Sequence, residues 1–179
     1  MERDAVYHFE FSPGVLAYRE QPEVISYWNG NAFREYYPDF LLELAGGTQV
    51  RIEVKPAAKL EKPVLTEKYR HIARHYQERG QAFRMVTEHQ VRTEPLLGNL
   101  RLLQRIRRKP ADMFEILSRL PELQAGIRLP FAVVEARIGR DTLLALIAHG
   151  VLRCDLRANL AGTNPISLSQ GADDDTVLL

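Results

Sequence analysis

Apolar and polar positions alternate along the first 94 residues with periods that change from segment to segment. Between Glu2 and Phe11 the apolar residues Ala5, Val6, Phe9 and Phe11 share one face at helical spacing, which predicts a helix stopped by Ser12-Pro13-Gly14. No capping residue precedes Glu2, so this helix starts abruptly. Val15 to Tyr18 and Val24 to Trp28 are β-branched and aromatic runs typical of strands. Asn29-Gly30-Asn31 is a turn signal leading into a third run from Phe33 to Tyr37. From 39 to 55 the alternation is strict. Phe40, Leu42, Leu44, Val50, Ile52 and Val54 are apolar, while Asp39, Glu43, Gln49, Arg51, Glu53 and Lys55 are polar. Two strands that bury their even positions are expected here, joined by a turn at Gly46-Gly47-Thr48. Directly opposed residues of paired strands point to the same side, so the loop length fixes which residues meet. A two-residue loop would oppose Asp39 to Val54, on the wrong face. A loop of odd length, with a glycine in the left-handed conformation, opposes Asp39 to Glu53 or Lys55, and this is the loop predicted.

Pro63 opens a second helix running to Arg79, with Leu65, Tyr69, Ile72, Ala73 and Tyr76 as its apolar stripe and Gly80 as its stop. A short strand, 82 to 87, follows. A helix, three or more antiparallel strands, a helix and a strand make an α/β core, and residues 1–94 are expected to form one domain ending near Glu94-Pro95. Residues 95–166 read differently. A helix over 95–109 ends in Arg101, Arg105, Arg107, Arg108 and Lys109, the densest basic cluster in the chain, and Pro110 breaks it. Short helices follow around 111–120, 130–137 and 141–149, the last with Asp141 as its cap and Gly150 as its stop; 151–156 alternates like a strand. Three helices and a strand pair suit a winged helix-turn-helix, and other small helical folds share the pattern. The tail, 167–179, with Asp173-Asp174-Asp175, is expected to be disordered or dependent on a partner.

Composition narrows the class. The chain has 179 residues, 45% hydrophobic and 26% charged, which fits one or two folded domains and excludes a disordered polymer. With 24 Lys+Arg against 23 Asp+Glu the net charge of +1 points to no polyanionic partner, so a basic surface must be local. One cysteine, Cys154, excludes an internal disulfide framework and a thiolate zinc site, suits a reducing compartment, and reads as a buried small hydrophobe. No apolar run approaches the roughly 18 to 20 residues of a membrane helix, and Met1-Glu2-Arg3-Asp4 is too charged for a secretory signal, so a cytoplasmic location without membrane contact is expected.

Asp39, at the start of one strand, and Glu53 and Lys55, two apart on the next, converge on one face. Two hard oxygen ligands and an ammonium suit metal-dependent phosphodiester hydrolysis. The acids hold Mg²⁺, which polarises the phosphate and lowers the pKa of bound water, while the lysine stabilises developing charge or orients the nucleophile. The backbone carbonyl of Val54 offers a further oxygen. Other polar clusters have plainer readings. Glu20 and Gln21 end a strand as a polar exit or support the metal site from behind. His71 and His75 have a zinc-compatible spacing but lack the acid and third histidine of a zinc protease, so a solvated helix face is expected. Lys59, Lys62, Lys68 and Arg70 contact phosphates or simply face solvent. The basic run at 101–109 is expected to contact DNA or a DNA-bound partner, although a charged helix end also complements its own dipole.

Pro38-Asp39 followed after fourteen positions by Glu53-Val54-Lys55, behind a helix carrying Glu2, resembles the PD-(D/E)xK nuclease superfamily, which includes restriction endonucleases and Holliday-junction resolvases. The closer resemblance is to the TnsA family, endonuclease subunits of heteromeric Tns-type transposases. It rests on Met1 to Tyr7, Val15 to Pro22, Tyr37-Pro38-Asp39-Phe40, Ile52 to Ala58, the helix at Tyr69 to Tyr76, and Leu97 to Leu103. It implies a restriction-endonuclease-like core followed by a small helical or winged-helix C-terminal domain. It further implies that Glu2 is the acid of the first helix, Asp39 the central metal ligand, Glu53 the second ligand and Lys55 the catalytic lysine, with Mg²⁺ as cofactor and Mn²⁺ able to substitute. Some family members carry glutamine where Glu53 stands, so this chain has the more acidic version. The family usually has a segment before the first helix, whereas here the glutamate is residue 2; a misassigned start or a shortened subunit is the expectation. The function implied is cleavage of the 5′ strands at transposon ends, beside a TnsB-like transposase cutting the 3′ strands and a TnsC-like ATPase contacting the C-terminal domain. Two other readings stand beside it: a solitary restriction-type or resolvase-type nuclease, and a non-cleaving subunit that recruits the ATPase.

Overall fold

A computed structural model describes residues 1–107, 113–169 and 177–179. The chain divides into two units, one of Met1–Arg92 with the C-terminal residues 177–179, the other of Thr93–Gly171. The first unit begins with α1 (Glu2–Phe11), then β1 (Val15–Glu20), β2 (Ile25–Trp28), β3 (Phe33–Tyr36), β4 (Phe40–Leu44) and β5 (Gln49–Val54). A short α2 (Ala57–Leu60), which the sequence pattern did not predict, precedes α3 (Pro63–Gln77), β6 (Ala82–Val86) and α4 (Glu88–Val91).

Its sheet has the order β1-β4-β5-β6, with β1, β4 and β5 antiparallel and β6 parallel to β5, so the fold is mixed α/β around a mixed sheet. The parallel pair needs a crossover, and α2 and α3 supply it. β2 and β3 form a separate hairpin. Even positions of the central strands pack with α1: Phe40, Leu42, Leu44, Ile52, Val54 and Val86 share a core with Ala5, Phe9 and Val91. Phe9 meets Phe40 edge to face at 5.2 Å. The sequence predicts only this buried face, yet Leu41, Arg51 and Glu53, on the opposite face, are buried too. The opposite face has its own cluster, Tyr27 and Tyr36 of the hairpin with Tyr69, Ile72 and Tyr76 of α3, against which Phe83 and Met85 of β6 pack. Charged residues on that side are therefore buried among tyrosines. Arg51 Nε donates to Glu23 Oε1 at 3.0 Å, the Tyr76 hydroxyl donates to the same oxygen at 3.3 Å, and the guanidinium lies 5.8 Å from the Tyr76 ring centre. Ala73, expected in the stripe of α3, is exposed.

The β4–β5 loop is odd, as predicted. The Leu44 amide donates to the Thr48 carbonyl, leaving Ala45, Gly46 and Gly47 as a three-residue connection, with Gly47 at φ +80°. The pairs Phe40 with Ile52 and Leu42 with Val50 carry the register back to Asp39 opposite Glu53. α1 is held from several sides. Arg92 Nε donates to Asp4 at 2.8 Å, and the ring nitrogens of the buried His8 lie against the carbonyls of Val91 (3.0 Å) and Leu178. The Leu178 amide donates to the Ser12 hydroxyl at 2.8 Å, and Val177 and Leu179 pack on the α1 core.

The second unit comprises α5 (Leu96–Ile106), α6 (Met113–Leu117), α7 (Pro121–Gln124), β7 (Leu129–Pro130), α8 (Phe131–Ile138), α9 (Arg140–Ala148), β8 (Leu152–Arg153) and β9 (Pro165–Leu168). Its three strands have the order β7-β9-β8, antiparallel throughout. Three expectations change here. Asp141 lies in the first turn of α9 and not at its cap, which is Gly139. The strand expected over 151–156 is only Leu152–Arg153, because the chain leaves the sheet and returns as β9. Ser167 and Leu168, assigned to a disordered tail, sit in β9, where cross-strand pairing orders them. The Asp173-Asp174-Asp175 run lies outside the described residues, as do Arg108 and Lys109. Cys154 is partly buried, and burial pushes its thiol up to about 12. Among the described residues no helix is long and apolar enough to cross a membrane.

Candidate active site

The odd hairpin loop brings Asp39, Glu53 and Lys55 together. Lys55 Nζ lies 2.9 Å from Glu53 Oε1 and 3.5 Å from Asp39 Oδ2, so one ammonium bridges both carboxylates. Asp39 Oδ2 also accepts the backbone N–H of Val54 at 2.7 Å, which locks the acid to the neighbouring strand. Burial raises the Asp39 carboxyl above its ordinary pKa. The Val54 bond opposes that shift, the charge of Glu53 reinforces it, Lys55 opposes it, and Glu2 reinforces it. For Lys55 burial acts to lower the pKa, but the hydrogen bond to Glu53 and the charges of Glu53 and Asp39 outweigh it and hold the lysine as an ammonium.

Glu53 is 2% exposed, and an isolated buried carboxylate would be costly. Its Oε2 accepts the Tyr36 hydroxyl at 2.6 Å and its Oε1 the Tyr69 hydroxyl at 2.7 Å, in addition to Lys55. Both phenols are raised well above their ordinary pKa, chiefly by burial and then by Glu53, so they stay protonated donors. Lys68 Nζ lies 5.5 Å from each of the two ring centres, adding positive charge behind the clamp. These tyrosines were not singled out from the sequence. Their signal is indirect: a helix stripe carrying Tyr69 and Tyr76 in place of aliphatic residues faces a strand with charged residues at 51 and 53.

Glu2 is exposed at the start of α1 and lines two depressions. One, of about 300 Å³, includes Arg3, Glu20, Gln21 and Asp39; the other, of about 490 Å³, includes Val54, Lys55 and Lys59. Glu2 thus shares one depression with Asp39 and the other with Lys55, while the buried Glu53 lines neither. Gln21, at φ +43°, donates its amide to the Asp39 carbonyl at 2.9 Å and fixes the backbone behind the acid.

Asp39 Oδ1 and the Glu2 carboxylate have no hydrogen-bond partner among the described residues and line one depression, and Glu2 lines a second with Val54. Hard oxygens of this kind fit a small divalent cation. Among the described residues, however, no three acids or histidines stand together at ligand spacing. The Lys55 ammonium occupies the charge-neutralising position between Asp39 and Glu53.

The other candidates are dispersed. His71 Nε2 lies 2.9 Å from Glu67 Oε1, and His75 packs edge-on against Tyr76 with its pKa lowered, chiefly by burial. Arg70 pairs with Glu67. Lys59 lines the active cleft, while Lys62 caps α3 in solvent. Arg101, Arg105 and Arg107 are exposed on and after α5 in the second unit.

Comparison with curated proteins returned no match. Residues 12–88, a span that holds Asp39, Glu53 and Lys55 but not Glu2, match the family model of the TnsA-like endonuclease N-terminal domain.

Proposed function

We propose that the protein is the Mg²⁺-dependent DNA endonuclease subunit of a heteromeric transposase, cutting the 5′ strands at transposon ends. The observation that carries this reading is the bridge of Lys55 between Asp39 and Glu53 within the TnsA-like domain. Asp39, Glu53 and Glu2, with the Val54 carbonyl, are the oxygens that would hold the metal; when bound, it supplies Lewis acidity and a more acidic attacking water. Lys55, held as a cation, is placed to stabilise charge on the phosphate oxygens as the phosphodiester opens. Tyr36 and Tyr69 donate to Glu53 and hold it oriented inside an otherwise apolar cluster. Gln21 and the Val54 amide hold Asp39 from its backbone and side-chain ends.

In the second unit, α5, β7, α8, α9, β8 and β9 follow the order of a winged helix-turn-helix with α6 and α7 inserted after α5, and β9 is central in the sheet. That order supports a winged-helix reading, and this unit is the proposed contact for a TnsC-like ATPase. Arg101, Arg105, Arg107, Arg108 and Lys109 are proposed to neutralise DNA phosphates. Strand-specific cleavage of end-labelled transposon-end DNA, with TnsB-like and TnsC-like partners and Mg²⁺, tests the reading. A 5′-strand cut that requires this chain and disappears with EDTA is expected. A 5′ cut that survives omission of the chain contradicts it.

A further inference from the structure

Arg3 lies outside the residues that match the nuclease family model, and packing fixes where it points. In α1, Ala5 and Phe9 are buried in the core and Arg92 Nε holds the buried Asp4 at 2.8 Å, so the helix cannot turn about its axis. Glu2, Arg3 and Val6, on the remaining face, line the depression of about 300 Å³ that also holds Glu20, Gln21 and Asp39. Glu2 and Arg3 also line the second depression, of about 490 Å³, with Val54, Lys55 and Lys59. Among the described residues Arg3 is the one cationic side chain common to both, beside Asp39 in the first and Lys55 in the second.

The two depressions are opposite in charge. The first sets the side chains of Glu2, Glu20 and Asp39 against Arg3 alone, and the second sets Arg3, Lys55 and Lys59 against Glu2 alone. Lys55 is already committed to Asp39 and Glu53. Arg3 and Lys59 are exposed, and among the described residues neither side chain makes an ion pair. Arg3 also stands in the first turn of a ten-residue helix, the end at which exposed backbone amides favour an anion and disfavour a cation. A guanidinium kept there without a partner works against the stability of α1, and a local rule broken without compensation marks a functional position.

We propose that Arg3 grips the non-bridging oxygens of the phosphate being cut and that Lys59 holds a neighbouring phosphate of the same strand. The assignment rests on the endonuclease reading above: the acidic half of the cleft is the one proposed to hold the cation, and the basic half takes the phosphates. Arg3 sits at the seam, where the scissile group must lie to reach both Asp39 and Lys55. Its planar fork donates two parallel N–H bonds to two oxygens of one phosphate, which the point charge of a lysine does not. A phosphodiester carries a single negative charge, and a second builds on the same oxygens as water adds, so Arg3 binds the transition state more tightly than the ground state. It acts through charge and hydrogen bonds alone and takes no proton. Lys59 lines only the Lys55 side and holds the strand there.

Two measurements on the full chain test the clamp apart from the nuclease reading. The first is fluorescence anisotropy with a labelled transposon-end duplex of roughly 30 base pairs, in EDTA, across about 50 to 200 mM salt. Arg3→Gln and Lys59→Gln should each lower the slope of log affinity on log salt by about 0.9, one phosphate contact apiece, and Arg3→Lys should keep it. The second is single-turnover nicking of the 5′ strand with TnsB-like and TnsC-like partners and Mg²⁺. Arg3→Gln should slow it about 100-fold, Arg3→Lys nearly as much because the fork is lost, and Lys59→Gln less than about 10-fold, with the 3′ cut unchanged. The urea midpoint of Arg3→Gln should equal or exceed that of the wild type, since a cation leaves the positive end of α1. Loss of binding and nicking together with a lower midpoint would overturn the proposal and make Arg3 a structural residue of α1. A wild-type 5′ cut that is indifferent to Arg3→Gln would overturn the clamp and leave the nuclease reading standing. Arg3-dependent binding with no 5′ cut by the wild type would sink the nuclease reading and leave the phosphate contact standing.

Discussion

Removing the Tyr36 hydroxyl isolates what holds Glu53 in the core. Tyr36→Phe keeps the ring, which packs edge-on at 6.4 Å from both Tyr69 and Phe83, and deletes only the donor 2.6 Å from Glu53 Oε2. Hydrogen bonds to charged groups are worth about 1.5–3 kcal/mol, and the carboxylate left behind is 2% exposed, so water cannot replace the lost donor. A loss of about 2 kcal/mol in urea unfolding follows, read as a lower midpoint at unchanged slope. Tyr69→Phe should cost a similar amount, softened because Lys55 still contacts the same oxygen at 2.9 Å. The decisive comparison is a double-mutant cycle with Glu53→Gln, a neutral side chain whose buried amide demands less of the phenols. Tyr36→Phe should then cost about 1 kcal/mol less than in wild type. Equal cost in both backgrounds would mean that Tyr36 matters through packing alone, and the clamp would fall.

Three further perturbations have signed outcomes. Because folding raises the pKa of Asp39, its protonated form is the one the fold favours. That contribution is complete below the unfolded-state value, near 3.9, and is lost as pH rises through the folded value. Asp39→Asn, whose amide oxygen can still accept from Val54, should therefore raise the urea midpoint at about pH 7 while abolishing nicking, and the gain should vanish below about pH 4; a lower midpoint at neutral pH contradicts the assigned shift. Gly47→Ala meets open space but forces a left-handed φ of +80° on a residue with a Cβ, costing about 1 kcal/mol by thermal unfolding, whereas Gly47→Asn should cost less; equal stability of all three would remove Gly47 as the constraint on hairpin register. Glu23→Gln leaves Arg51 buried without its charge partner, and since Glu23 is about a third exposed the loss should be about 1–2 kcal/mol, below that of a fully buried pair; no change in urea midpoint would show water solvating Arg51.

The alternation over 39 to 55 made the hairpin legible, because a period of two leaves only the loop length to set the register, and glycines at 46 and 47 allow the odd turn. The same alternation misled about the second face. Only the even positions were expected to be buried, since charged residues usually are not, whereas α3 and the β2–β3 hairpin also cover Arg51 and Glu53. The clamp was hidden for a related reason. Tyr36 and Tyr69 lie 17 and 16 positions from Glu53, and each looks locally like an ordinary strand or helix aromatic. The family resemblance, resting on Pro38-Asp39 and Glu53-Val54-Lys55, pointed to the two carboxylates that the fold brings within reach of the Lys55 ammonium. In the second unit the strands are two to four residues long, too short for alternation to announce them, so the second half of β9, Ser167 and Leu168, was taken for tail.

The most direct test of the central claim is single-turnover nicking of the 5′ strand at a labelled transposon end, with both partner proteins and Mg²⁺ or Mn²⁺, by wild type, Asp39→Ala and Lys55→Ala. The 5′ product should vanish in both variants while the 3′ cut persists, with circular dichroism showing that each variant is folded. A folded Lys55→Ala or Asp39→Ala chain that still nicks the 5′ strand at the wild-type rate would contradict the assignment of these residues to the chemistry.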